Sequence, residues 1–93
     1  MNPVELKKRD FRSLCLRALD AAGSRAAATN TWYLETGPYM VVYEHGYLLA
    51  TEVIPDVEIA TIWDDHNPPS GVDLEPITNA LRALIVLDEL SNV

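Results

Sequence analysis

Ninety-three residues that are 48% hydrophobic and 23% charged make one globular domain and exclude a disordered, collagen-like or coiled-coil chain. Fourteen acids against seven bases, a net charge of −7, exclude a nucleic-acid or anionic-membrane binder of the usual basic kind. The single Cys15 excludes an intrachain disulfide framework and points to a reducing, cytoplasmic setting.

No apolar run approaches the ~20 residues of a membrane span. The first ten residues, M-N-P-V-E-L-K-K-R-D, lack the apolar stretch of a secretory signal.

Residues 3–22 are predicted as the first helix. Asn2 is a good N-cap, Pro3 suits the first helical position, and Glu5 stands three after Asn2 as in a capping box. Val4, Phe11, Leu14, Cys15, Ala18 and Ala22 fall in one sector of the wheel, so Cys15 reads as a small core residue and not a nucleophile. Gly23 ends the helix, and Ser24–Asn30 reads as a small-residue linker.

The charge is divided along the chain. Residues 1–25 hold six bases (Lys7, Lys8, Arg9, Arg12, Arg17, Arg25) and three acids, whereas residues 26–93 hold eleven acids and the one base Arg82. A basic first helix packed beside acidic elements would relieve part of their repulsion, each surface pair contributing about 0–1 kcal/mol. The acidic remainder presents a field that attracts a basic partner.

From Thr31 the pattern turns aromatic and β-branched, which favours a pleated, half-buried surface. Strands are expected at 31–35, 39–44, 47–54 and 57–63, separated by Gly37-Pro38, His45-Gly46 and Pro55-Asp56. His45-Gly46 is the best hairpin signal, since a type I′ turn needs positive φ at both central positions. Asp64–Asp73 is a breaker-rich loop, and Asp73 caps a second helix over roughly 74–91. Leu74, Ile77, Ala80, Leu81, Leu84 and Leu87 form its apolar face, and Ile85 and Val86 lie off that face. Such a helix is either buried on two sides or meets another chain.

The expected fold class is therefore α+β: a small single domain, helix–four-stranded antiparallel meander–helix, with both helices on one face of the sheet. Strict alternation puts Trp32, Leu34, Tyr39, Val41, Tyr43, Leu48, Ala50, Ile54, Val57, Ile59 and Trp63 on the core face. The other face then carries Tyr33, Met40, Val42, Tyr47, Leu49, Val53, Ala60 and Ile62, with Glu35, Glu44 and Glu58 among them. That mixture resembles a protein interface more than a solvent surface.

Chemical motifs are sparse. Asp64-Asp65-His66 holds groups that can bind a divalent ion or act as acid and base, but adjacent residues diverge, and a solvated turn with Asx capping explains them better. There is no glycine-rich phosphate loop, G-x-S-x-G, C-x-x-C or H-E-x-x-H. The tyrosines and tryptophans are not a base-stacking platform, because such platforms sit in positive grooves.

The sequence thus points to a non-enzyme with no catalytic residue, metal or cofactor, acting on a basic protein partner. By size and charge it is comparable to anti-CRISPR, anti-restriction, immunity or antitoxin proteins, whose carboxylates occupy the Arg and Lys positions that would grip phosphates. Tyr33, Met40, Tyr47 and Leu49 are the expected anchors, and Glu35, Glu44 and Glu58 the charged guides. The second reading is an acidic chaperone-like or housekeeping homodimer, associating through Ile85, Val86 or the outer sheet face.

Overall fold

A computed structural model describes residues 3–26 and 30–91, with side chains described for 9–24 and 30–91. The first helix, α1, spans Pro3–Ala22. Its apolar stripe is closed over Phe11, Cys15, Ala18 and Leu19, all buried. The expected cap Asn2 and the Val4 side chain lie outside the described residues. At the other end the Gly23 N–H donates to the Leu19 carbonyl at 2.8 Å. A Cβ at Gly23 would stand 2.5 Å from that same oxygen, so the helix can turn directly into the sheet only on a residue without a side chain.

The chain then forms β1 (Ser24–Ala26), β2 (Thr31–Thr36), β3 (Tyr39–Glu44), β4 (Tyr47–Glu52) and β5 (Ala60–Asp64), and ends in α2 (Glu75–Ser91). The four main strands make the expected antiparallel meander. The short β1 adds to its edge from what the sequence presents as a linker, giving the order β1-β2-β3-β4-β5 among the described residues. His45 (φ 49°) and Gly46 (φ 85°) hold the β3–β4 turn with both φ values positive, as the hairpin signal requires. The Glu75 N–H that opens α2 donates to the Asp73 carboxylate at 3.0 Å.

Both helices cover one face. The core comprises the α1 stripe, Leu34, Val41, Leu48, Ala50, Ile62 and Trp63 from the sheet, and Ile77, Leu81 and Ile85 from α2. Phe11 and Trp63 meet with ring centroids 4.9 Å apart and planes tilted by 53°, a favourable aromatic geometry. Cys15 is fully enclosed, and burial pushes its thiol up to about 12, so it is an apolar filler. Arg17 on α1 reaches Glu89 on α2 at 3.6 Å. Asp10 and Phe11 share a groove with Val72–Glu75, so the two helices run in the same direction.

Several positions depart from simple alternation. After Glu52 the ladder ends with Val53 N–H donating to Pro38 O at 2.7 Å, and residues 53–59 leave the sheet. Ile54-Pro55-Asp56-Val57 makes a tight turn with Asp56 at φ 60°. Because this segment is loop, Val57 and Ile59 are exposed at 63% and 50% instead of sitting in the core. Glu58 is likewise off the sheet.

A bulge opposite Ala50/Thr51 inserts one extra residue into β5, pairing Ala50 with Trp63 but Thr51 with Thr61. Ile62, expected on the outer face, is that extra residue and is buried beside Trp63. Beyond the bulge Ala60 pairs with Glu52, which in turn pairs with Tyr39, so Ala60 belongs to the helix-covered side.

On α2 the apolar sides are redistributed. Ile85, expected off the core face, is buried at 8% exposure, while Leu87, expected on it, is 61% exposed. The helix is rotated so that Ile77, Leu81 and Ile85 point at the sheet, a spacing of four along one side. Trp32 and Leu84 are half-buried against the core margin.

Candidate functional site

The sheet face turned away from the helices is built in rows by the strand register. One row runs Ser24–Tyr33–Val42–Leu49–Asp64, the next Thr31–Glu44–Tyr47, and the third Glu35–Met40–Thr51–Thr61. Tyr33, Glu35, Met40, Glu44, Tyr47 and Leu49 are thus brought together on one face as expected. Glu58 is not among them. The carboxylate that takes its place is Asp64, at the end of β5 and directly across from Leu49.

Both outer tyrosines are tied to acids. Tyr33 donates its hydroxyl to Glu35, two residues along the same strand face, and this raises the phenol above its ordinary range. Tyr47 donates to Asp64, which raises the Tyr47 phenol and holds the Asp64 carboxyl below the usual carboxylate range. Asp64 also accepts from the backbone N–H groups of His66 at 2.9 Å and Asn67 at 3.1 Å, an Asx turn. That turn folds His66 back over Tyr47, ring centroids 4.5 Å apart and planes within 15°. His45 lies 3.7 Å from Glu44 at the same end of the sheet.

The result is a surface of rings and short aliphatic side chains bounded by Glu35, Glu44 and Asp64, with no lysine or arginine among its described side chains. Tyr33 is exposed, while Met40, Val42, Tyr47 and Leu49 are half-buried by one another. Thr51 closes one end, buried, its hydroxyl without a hydrogen-bond partner among the described residues.

The one described base near this end serves elsewhere. Arg12 on α1 pairs with Asp65, lies over the Tyr43 ring at 5.8 Å, and clasps α1 to the chain just after β5. Among the described residues no three His, Cys, Asp or Glu side chains converge in a metal-holding group. No helix of the described residues is long and apolar enough to cross a membrane. No protein-family model, curated protein or solved structure matches the chain.

The Tyr47–Asp64 bond makes a prediction about pH. Asp64 has a depressed value in the folded state, so its contribution to stability is present above the ordinary carboxylate range and lost as pH falls through the depressed value. Tyr47 has a raised value, so its contribution is present below the ordinary phenol range and lost as pH rises through the raised value. Tyr47→Phe keeps the stack on His66 but removes the bond. The melting temperature of the parent should exceed that of the variant around neutral pH. The two curves should converge once the pH has fallen through the lowered Asp64 value, and again once it has risen through the raised Tyr47 value. A constant offset across that range would show that the bond does not contribute.

Sequence alternation finds the two tyrosines, two of the glutamates and the aliphatic centre. It misses Asp64 and His66, which read as a solvated turn. Their signal is indirect: Asp64 is the last strand residue, and the Asx turn that follows it folds His66 back toward the sheet.

Proposed function

We propose that this chain is a small acidic, non-enzymatic interaction protein that captures a basic protein partner on the outer face of its sheet and keeps that partner from phosphate. The observation that carries this reading is the combination on one face of Tyr33, Tyr47, Val42 and Leu49 with Glu35, Glu44 and Asp64. Aromatic and aliphatic anchors supply the contact area, and tyrosine rings also receive guanidinium groups on their faces. Carboxylates at the margin draw an arginine- or lysine-rich surface in and occupy the groups that would otherwise grip a nucleic-acid backbone. Anti-CRISPR, anti-restriction, immunity and antitoxin proteins act by such capture, and this chain is comparable to them in size and charge.

The test begins with capture of partners from a native extract at low salt and their identification by mass spectrometry. Kinetics follow on the immobilised chain. Tyr33→Ala and Tyr47→Ala are each expected to speed dissociation, with a loss of about 2 kcal/mol, roughly thirtyfold in affinity. The triple variant Glu35→Gln, Glu44→Gln, Asp64→Asn is expected to slow association and flatten its salt dependence. An acidic partner, or a basic one whose rates ignore both sets, would refute the assignment.

A further inference from the structure

The second helix carries two apolar sides, and among the described residues only one is buried. Ile77, Leu81 and Ile85 are buried against the core. Ala83, Val86, Leu87 and Leu90 follow one another at spacings of three, one and three, which lines them up along the opposite side of the helix. Val86, Leu87 and Leu90 are 50%, 61% and 65% exposed. Their alignment on one helix face makes a continuous apolar ridge and not scattered surface residues.

The border of this ridge carries charge in a regular order. Glu75, Arg82 and Glu89 are spaced by seven, nearly two helical turns, so they form a line along one flank. Arg82 is the one base in residues 26–93, is exposed, and has no ion pair among the described residues. Glu89 pairs with Arg17 at 3.6 Å, with both side chains well exposed, a weak pair.

We infer that α2 pairs antiparallel with α2 of a second copy of this chain about a two-fold axis near residues 85–86. A two-fold interface must be self-complementary. The α2 flank meets that condition. Antiparallel pairing there sets Arg82 of each copy beside Glu89 of the other, twice, while Val86, Leu87 and the Ala83 and Leu90 ends interdigitate. The outer sheet face fails the same condition, since its described carboxylates would face their own like charges. This inference is independent of the reading of that face as a site for a basic partner. The ridge from Ala83 to Leu90 is only about 10 Å long at the helical rise, so the contact is below the standard interface size and the dimer is weak.

Sedimentation equilibrium on the full chain, from about 10 μM to about 1 mM, spans the association range of a small interface. The parent is expected to pass from monomer to dimer across it. The exposed-site variant Leu87→Gln with Leu90→Gln is expected to stay monomeric throughout with an unchanged circular-dichroism spectrum. Arg82→Glu should weaken the dimer at least tenfold, and Arg82→Glu with Glu89→Arg should restore most of that loss. Glu35→Gln and Glu44→Gln on the sheet face should leave the dimer unchanged. A parent that remains monomeric, a dimer that survives the double leucine change, or a charge exchange that restores nothing would overturn the proposal.

Discussion

Trp63→Ala is expected to lower the melting temperature by roughly 15 °C or more, and to leave a partly unfolded population at body temperature. The indole is 4% exposed and packs against Phe11, so it joins the sheet to the first helix through an aromatic contact within the core. Truncating a buried aromatic costs about 3–5 kcal/mol against a total stability of roughly 5–15 kcal/mol for a domain of this kind. Thermal melts followed by far-ultraviolet circular dichroism measure it. Trp32→Ala is the internal comparison: Trp32 is half-buried at the core margin and should cost clearly less. Equal losses at the two positions, or an unchanged melting temperature for Trp63→Ala, would contradict the described core.

The second large effect separates the two sides of α2. Leu81→Ala and Ile85→Ala should each cost about 2–5 kcal/mol, because both side chains are enclosed by the sheet and α1. Leu87→Ala should change stability by about 0.5 kcal/mol or less, as exposed substitutions do. Urea titrations at low micromolar concentration keep self-association out of the comparison. The contrast is informative because sequence periodicity ranks Leu87 with the core and Ile85 outside it. A large loss at Leu87 with little at Ile85 would mean that α2 is rotated from the orientation described.

The places where sequence reading succeeds and fails have physical reasons. Elements held by local chemistry are legible: α1 over Pro3–Ala22, the His45-Gly46 turn, and the Asp73 carboxylate at the start of α2 all depend on neighbours within four residues. The faces of β2, β3 and β4 are legible too, because two short turns fix their register. Beyond Glu52 that logic lapses. Pro55-Asp56 does make a tight turn, but the ladder has already ended at Val53, so Val57, Glu58 and Ile59 no longer inherit a face from β4.

The bulge at Ala50/Thr51 then resets the alternation, burying Ile62 and Trp63 side by side. Neither the loop nor the bulge leaves a mark in residue type. The rotation of α2 is hidden for a different reason: when a helix is apolar nearly all round, its own periodicity cannot say which side meets the sheet. Of the candidate site, Tyr33, Met40, Tyr47, Leu49, Glu35 and Glu44 follow from alternation. Asp64 depends on the bulged pairing of β5, which alternation does not reveal.

The three residues of β1 settle a question of parity. In an antiparallel meander the first and last strands point the same way when the strand number is odd, and oppositely when it is even. Five strands bring the chain back to the helical layer at the end opposite the one from which it left, which is why α1 and α2 lie side by side in the same sense. Their two negative helix poles therefore come together, and neither last turn carries a base to offset them. A four-strand version of the same chain would have sent the second helix back the other way, setting opposite poles against one another. A strand barely long enough to hold three residue pairs thus decides the direction of an entire helix and adds a local negative field at one corner of an already acidic molecule.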